Sequence, residues 1–180
     1  MTGRLIAVVG PSGVGKDSVM TALAERRPSV ELVRRVITRA PGLGGEDYTP
    51  VTEDRFAELL AADAFCLHWA AHGLLYGIPA TVRDQLAGGT DLLVNLSRSV
   101  LPEMKRAFAN SAILSLTATP ETLARRLQGR GRETPDSIAK RLERSALGIP
   151  EGVPVIEISN DGSLDETVAA ALDALYPVKV

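Results

Sequence analysis

One stretch of the chain has the residue types to do chemistry on an anion: Gly10-Pro11-Ser12-Gly13-Val14-Gly15-Lys16-Asp17. Its glycines permit a backbone path with successive N–H groups pointing inward, and its lysine adds a cation. Leu5-Ile6-Ala7-Val8-Val9 comes before it, an unbroken apolar run that predicts a strand buried on both faces. Ser18 to Ala24 follows, with helix formers at helical spacing. Strand, glycine-rich loop and helix start are the context in which G-x(4)-G-K reads as a phosphate-binding loop. The partial positive charge of the helix N-terminus stands behind it. A chance glycine turn requires neither the flanking elements nor the lysine. The stretch thus predicts a nucleotide polyphosphate held by Gly10, Pro11, Ser12, Gly13, Val14, Gly15, Lys16, Asp17 and Ser18, with Lys16 on the β- and γ-phosphates.

The residue after such a lysine is usually Ser or Thr, whose hydroxyl binds Mg²⁺. Here it is Asp17, and Ser18 points about 100° away around the helix. A carboxylate is also a suitable oxygen donor, so Asp17 is read as the Mg²⁺ ligand. The plainer reading is an acid favoured by the helix dipole. A second concentration of charge lies at Arg125, Arg126, Arg130 and Arg132, loosened by Gly129 and Gly131 and continued by Arg141 and Arg144. The whole chain has a formal net charge of −2, so this local excess needs a reason. A solvated helix face is one. An arginine lid closing over phosphates accords better with the loop, because phosphoryl transfer needs added cations.

The elements that must position these residues alternate along the chain. Glu31 to Ile37 predicts a second strand, and residues 40–50 a loop rich in glycine and proline. A helix opens at Thr52, Phe65 to Ala70 is extended, His72-Gly73 turns, and Leu74 to Ile78 returns. Pro79 opens a helix ending at Gly88-Gly89. Asp91–Asn95 and Ala112–Leu116 are further buried strands, and Thr119-Pro120-Glu121 has the signature of a helix start. Val155–Ser159 is the last strand and Leu164–Leu175 the last helix. This alternation predicts an α/β fold, the three-layer α/β/α sandwich of P-loop NTPases around a central parallel sheet. It divides into a core (1–37, 79–124 and 146–180), a small insertion with its own hairpin (38–78) and an arginine-rich lid (125–145). At 180 residues with 45% hydrophobic content, one domain is expected. The mild acidity argues against nucleic acid or an anionic membrane as partner, and no apolar run approaches a membrane span. Cys66 is the single cysteine, which suits a reducing cytoplasm, and no signal peptide opens the chain. Oligomeric state stays open between monomer and homodimer.

Over nearly its full length the chain resembles the guanylate-kinase-like branch of the nucleoside monophosphate kinases. Thr38-Arg39, Gly45-Glu46 and Tyr48 resemble that family's acceptor loop, although its second arginine is absent. Tyr76-Gly77 matches its Tyr-Gly, whose tyrosine holds the acceptor's phosphate. Arg130-Gly131-Arg132-Glu133-Thr134 with Arg141-Leu142 resembles its lid, and Ser159-Asn160-Asp161 the segment beside the adenine of ATP. The departures concern the base. Guanylate kinases read guanine with a Glu nine residues before that Tyr, a position held here by Leu67. Their Asp-x-Asp after the central strand is here Asn95-Leu96-Ser97. A site built to pair with a polar base discriminates by orders of magnitude when a partner is missing. The expected substrate is therefore phosphorylated and lacks guanine.

Residues 10–18, 37–39, 44–47, 69–79 and 94–98 are similar to the ribose 1,5-bisphosphate phosphokinases of phosphonate catabolism. That resemblance implies transfer of the ATP γ-phosphoryl group to a small sugar phosphate, ribose 1,5-bisphosphate. It implies Lys16, Arg130, Arg132 and Arg141 as catalytic, and Asn160 beside the nucleotide. It implies Arg39, Glu46, His72, Tyr76, Gly77, Asn95, Ser97 and Arg98 around the acceptor, and so acceptor binding for the insertion over 38–78. For His72 a locally bonded turn histidine is an equal alternative, and His68 lies in an extended segment unsuited to a metal pair with it. Two other readings compete: a nucleoside monophosphate kinase with unusual base recognition, and a non-catalytic peptide-binding scaffold. The second usually loses the loop lysine or glycines, which are intact here. Relative to guanylate kinases a carboxylate has appeared at Asp17 and an amide at Asn95, which suggests one acidic contact moved between them.

Overall fold

The computed structural model describes residues 2–42, 46–128 and 151–177. Five parallel strands form the main sheet, in the order β2 (Val30–Leu32), β7 (Asp91–Asn95), β1 (Leu5–Val9), β8 (Ser111–Thr117) and β9 (Val155–Ser159). All five residues of β1 are buried, as an apolar run with no polar face requires. Alternate residues face opposite layers. Leu5, Ala7 and Val9 pack with Leu92, Val94, Leu101 and Met104, while Ile6 and Val8 pack with Val19, Leu23, Leu114 and Val168. Helices cover both faces: α1 (Lys16–Arg26), α5 (Pro120–Gln128) and α6 (Leu164–Leu175) on one, α3 (Val82–Ala87) and α4 (Leu101–Ala107) on the other. The expected α/β/α sandwich is the observed one. The chain leaves β1 for β2 two places along the sheet, with β8 on the other side, so the phosphate loop sits at a topological switch point.

A second sheet of four strands is ordered β4 (Tyr48–Pro50), β3 (Arg35–Ile37), β6 (Leu74–Pro79) and β5 (Phe65–Ala71), and α2 (Glu53–Ala61) packs Phe56 against Phe65 of β5. Here the structure departs from the expected single strand over 31–37. Val30–Leu32 pairs with β7, whereas Arg35–Ile37 pairs with β4 and β6 in the other sheet. The change of sheet falls at Val33-Arg34, where Val33 N–H still donates to Leu93 O at 2.9 Å. Strand propensity alone does not reveal that one extended run serves two sheets. Pro79 ends β6 rather than opening a helix, which starts at Val82. The β5–β6 turn is the expected one: His72 (φ 53°) and Gly73 (φ 72°) both take the left-handed conformation of a two-residue hairpin. Among the described residues no helix is long and apolar enough to cross a membrane.

A polar latch closes the fold at the start of β7. Asp91 accepts from Arg4 N–H at 2.7 Å, from the Arg4 guanidinium at 3.0 and 3.2 Å, and from the Tyr176 hydroxyl at 2.7 Å. The Arg4 and Arg27 guanidiniums lie 4.8 and 3.7 Å from the Tyr176 ring centre. Desolvation and the Asp91 carboxylate push the Tyr176 hydroxyl up to about 12. Desolvation raises the Asp91 carboxyl, but the hydrogen bonds from Arg4 and Tyr176 outweigh it and hold the group below its ordinary value. Replacing Asp91 by Asn should cost about 1–3 kcal/mol at neutral pH, by the rule for broken charged hydrogen bonds. A depressed carboxyl stabilises above its unfolded pKa of about 3.9 and loses that contribution as pH falls through its folded value. Denaturant melts of wild type and D91N should therefore differ fully at pH 7 and converge in acid.

Candidate active site

The phosphate loop is shaped by contacts made behind it. Gly10, Gly13 and Gly15 have φ of 156°, 84° and 94°, and a Cβ on Gly15 would lie 2.8 Å from the Asn160 amide nitrogen. Only glycine tolerates that path and that approach. Asn160 is buried; its amide donates to Val14 O at 2.7 Å and its carbonyl accepts from the Thr167 hydroxyl at 2.7 Å. Arg126 on α5 donates to Val14 O at 3.2 Å and to Asn160 O at 2.7 Å. Thr119 N–H and the Ser159 hydroxyl bind the carboxylate of exposed Asp161, which they hold well below the usual carboxylate range. The resemblance places Asn160 beside the nucleotide; the structure spends its side chain on the loop backbone. Arg126 is the loop contact that reading the sequence missed, grouped there with the lid. Its position beside a strand-end turn has no local signal.

Lys16 opens α1, and its ammonium donates to Gly10 O at 2.9 Å and Pro11 O at 3.3 Å, across the loop. Asp17 stands in the first turn, and Ser18 is exposed on another side of the helix. The Asn95 amide, at the end of β7, donates to Asp17 Oδ1 at 3.4 Å. The two residues that differ together from guanylate kinases are thus neighbours in space. Among the described residues no three His, Cys, Asp or Glu side chains cluster as a metal cage. One carboxylate beside a phosphate loop suits Mg²⁺, which is commonly held by one or two carboxylates, phosphate oxygens and water.

Asp17, Val33, Arg34, Arg35, Glu46, Asp47 and Asn95 line one concavity beside the loop. Arg35 is buried in β3, and its Nη2 donates to both oxygens of Glu46. Its Nη1 donates to Asn95 O at 2.9 Å. Arg39 reaches Glu46 Oε1 and Tyr76 Oη, each at 3.5 Å, and lies 5.4 Å from the Tyr48 ring centre. Trp69 and Tyr76 stack with centroids 5.1 Å apart. Gly77 has no room for a side chain, since a Cβ there would lie 2.4 Å from the Phe65 ring. The structure therefore brings Arg39, Glu46, Tyr76 and Asn95 together. Ser97 and half-buried Arg98 start the turn after β7, and His72 is exposed at the hairpin tip. Arg130, Arg132 and Arg141 lie outside the described residues. Arg35 was not singled out from the sequence. An arginine beside Val36-Ile37 in a buried strand was the available signal, because such a charge must be paired.

The sequence model of the guanylate kinase family matches residues 2–174. The chain belongs to the guanylate kinase family. Within it, the chain is 52% identical over 170 residues to a ribose 1,5-bisphosphate phosphokinase PhnN of Ruegeria sp. (strain TM1040), covering 94% of this chain and 90% of that protein. It is 41% identical over 174 residues to the PhnN of Agrobacterium fabrum, covering 95% of each. Among solved structures, a guanylate kinase from Anaplasma phagocytophilum superimposes with a TM-score of 0.68 at 20% identity, over 97% of this chain and 85% of that one. That likeness speaks to the fold alone. This guanylate-kinase-family chain is thus a kinase using a nucleotide phosphoryl donor. Because Asp17 and Asn95 touch, Asp17→Ser and Asn95→Asp should couple by about 0.5–3 kcal/mol in a double-mutant cycle on kcat/KM, the range for residues in contact. Strictly additive losses would contradict the pairing.

Proposed function

We propose that the chain transfers the γ-phosphoryl group of ATP to ribose 1,5-bisphosphate, giving 5-phospho-α-D-ribose 1-diphosphate and ADP. The observation that carries this is the acceptor side: an anion-binding set without a base reader. Arg39 and Tyr76 stand together, while the position of the guanine-reading Glu is Leu67, buried in β5. The strand end offers the Asn95 amide in place of a carboxylate. Relatives named for this reaction, at up to 52% identity along almost the whole chain, support the same substrate.

An oxygen of the acceptor's 1-phosphate attacks the γ-phosphorus in line, and the bond from that phosphorus to the β–γ bridging oxygen breaks. The attacking oxygen is already ionised at neutral pH, so no strong general base is required. Catalysis rests on positioning and charge neutralisation. Lys16 and the N–H groups of Gly10 and residues 12–17 receive the donor phosphates. Arg39, Tyr76 and Arg98 hold the acceptor phosphate, with Gly77, Asn95, Ser97, Glu46 and His72 around the sugar. Arg130, Arg132 and Arg141 bridge the transferring group. Asp17 would hold a Mg²⁺ ion, which would supply charge neutralisation to the transferring phosphate. A soluble cytoplasmic setting accords with the substrates.

Phosphorus NMR of the chain with ATP and ribose 1,5-bisphosphate should show a new diphosphate on the sugar and matching ADP. GMP, AMP and dTMP should be turned over slowly or not at all, and fast turnover of GMP would overturn the assignment. Lys16→Ala should lower kcat by at least about 100-fold with an unchanged melting temperature, the scale for losing one preorganised electrostatic contact.

A further inference from the structure

Arg35 is 7% exposed, between the exposed Arg34 and the buried Val36 and Ile37. Placing a guanidinium there is unfavourable unless it is fully engaged. Its Nη2 binds both Glu46 oxygens, its Nη1 binds Asn95 O, and its plane lies 5.2 Å from the Tyr76 ring centre and 5.9 Å from that of Trp69. Its Nε–H is buried with no hydrogen-bond partner. None of these contacts is to the phosphate loop. Glu46, in contrast, faces two arginines at once. Arg35 takes both of its oxygens at short range, and Arg39 meets one of them at 3.5 Å.

A carboxylate beside an acceptor-binding arginine is a competitor for it. It is an anion of fixed position in a half-buried place, and it can draw the guanidinium away from a substrate phosphate. The competition matters more here because the acceptor loop keeps one arginine where the resemblance leads one to expect two. We propose that Arg35 is a positioning residue that keeps Glu46 engaged, so that Arg39 stays turned toward the acceptor phosphate. The Asn95 carbonyl fixes where the Arg35 guanidinium stands, and through it the acceptor sheet is tied to the strand end that also meets Asp17. A run Arg39–Glu46–Arg35–Asn95–Asp17 therefore joins the acceptor side to the first turn of α1. The inference rests on the acceptor role of Arg39 proposed above.

The test compares R35M, E46Q and R35M/E46Q. R35M should raise KM for ribose 1,5-bisphosphate at least about tenfold and leave KM for ATP within about threefold, a pattern that general damage to the fold does not produce. In the E46Q background the same Arg35 change should be nearly silent, within about threefold, because Arg35 acts through Glu46. That comparison stands even if R35M alone fails to fold, since a neutral pair in place of a buried ion pair is well tolerated. A tenfold effect of R35M in the E46Q background would overturn the proposal, as would equal shifts in both KM values. If wild type does not phosphorylate the sugar, the substrate assignment fails and a crystal structure decides the role of Arg35. In R35M, or in R35Q if R35M does not fold, Arg39 should then be found on both Glu46 oxygens and off Tyr76. Arg39 in its wild-type place would overturn it.

Discussion

The Val14 carbonyl is the hinge of the donor side. A phosphate loop works only if its N–H groups face inward, and that requires carbonyls held outward. Asn160 and Arg126 hold this one, from β9's end and from α5, at 2.7 and 3.2 Å. Asn160 is in turn braced by Thr167, so two groups far from Val14 in the sequence converge on its oxygen and a third holds one of them in place. The close approach of Asn160 is also why Gly15 must lack a side chain. The cradle is therefore prepared by packing behind it, and binding need not order it afresh, which is how preorganised electrostatic sites gain their effect.

The acceptor side rests on a different physical device. Its charges do not stand singly; one carboxylate, Glu46, is shared by two arginines, with Arg35 buried and Arg39 at the edge. Such an arrangement is expensive to desolvate and specific in geometry. The aromatic faces of Trp69 and Tyr76 lie against it. A sugar phosphate needs anion contacts and few directional base contacts, which suits this composition.

Much of this was legible before any coordinates. The phosphate loop is local: its glycines, lysine and flanking elements lie within a single segment, and local pattern is what sequence reports best. The same holds for the β5–β6 hairpin, signalled by His72-Gly73, and for the start of α5, where Thr119 Oγ does accept from Thr122 N–H. The strand 31–37 was misjudged because its division between two sheets is decided by distant partners, β7 on one side and β4 and β6 on the other. Arg35, Arg126 and the bond from Asn160 to the loop backbone escape a local reading for the same reason. Each is defined by a partner that is remote in the chain: Asn95 for Arg35, and Val14 for both Arg126 and Asn160. The neighbourhood of Asp17 and Asn95 was reached by comparing types at two positions, and the fold brings them to 3.4 Å.

The proposed function makes a spatial claim, that a nucleotide tail at residues 10–17 meets a sugar phosphate at Arg39 and Tyr76. A crystal structure with a non-hydrolysable ATP analogue and ribose 1,5-bisphosphate examines it most directly. The account predicts the triphosphate inside the glycine loop and the sugar's 1-phosphate between its terminal phosphate and the Arg39–Tyr76 pair. A sugar phosphate bound away from that pair, or presenting a hydroxyl to the triphosphate, would contradict it.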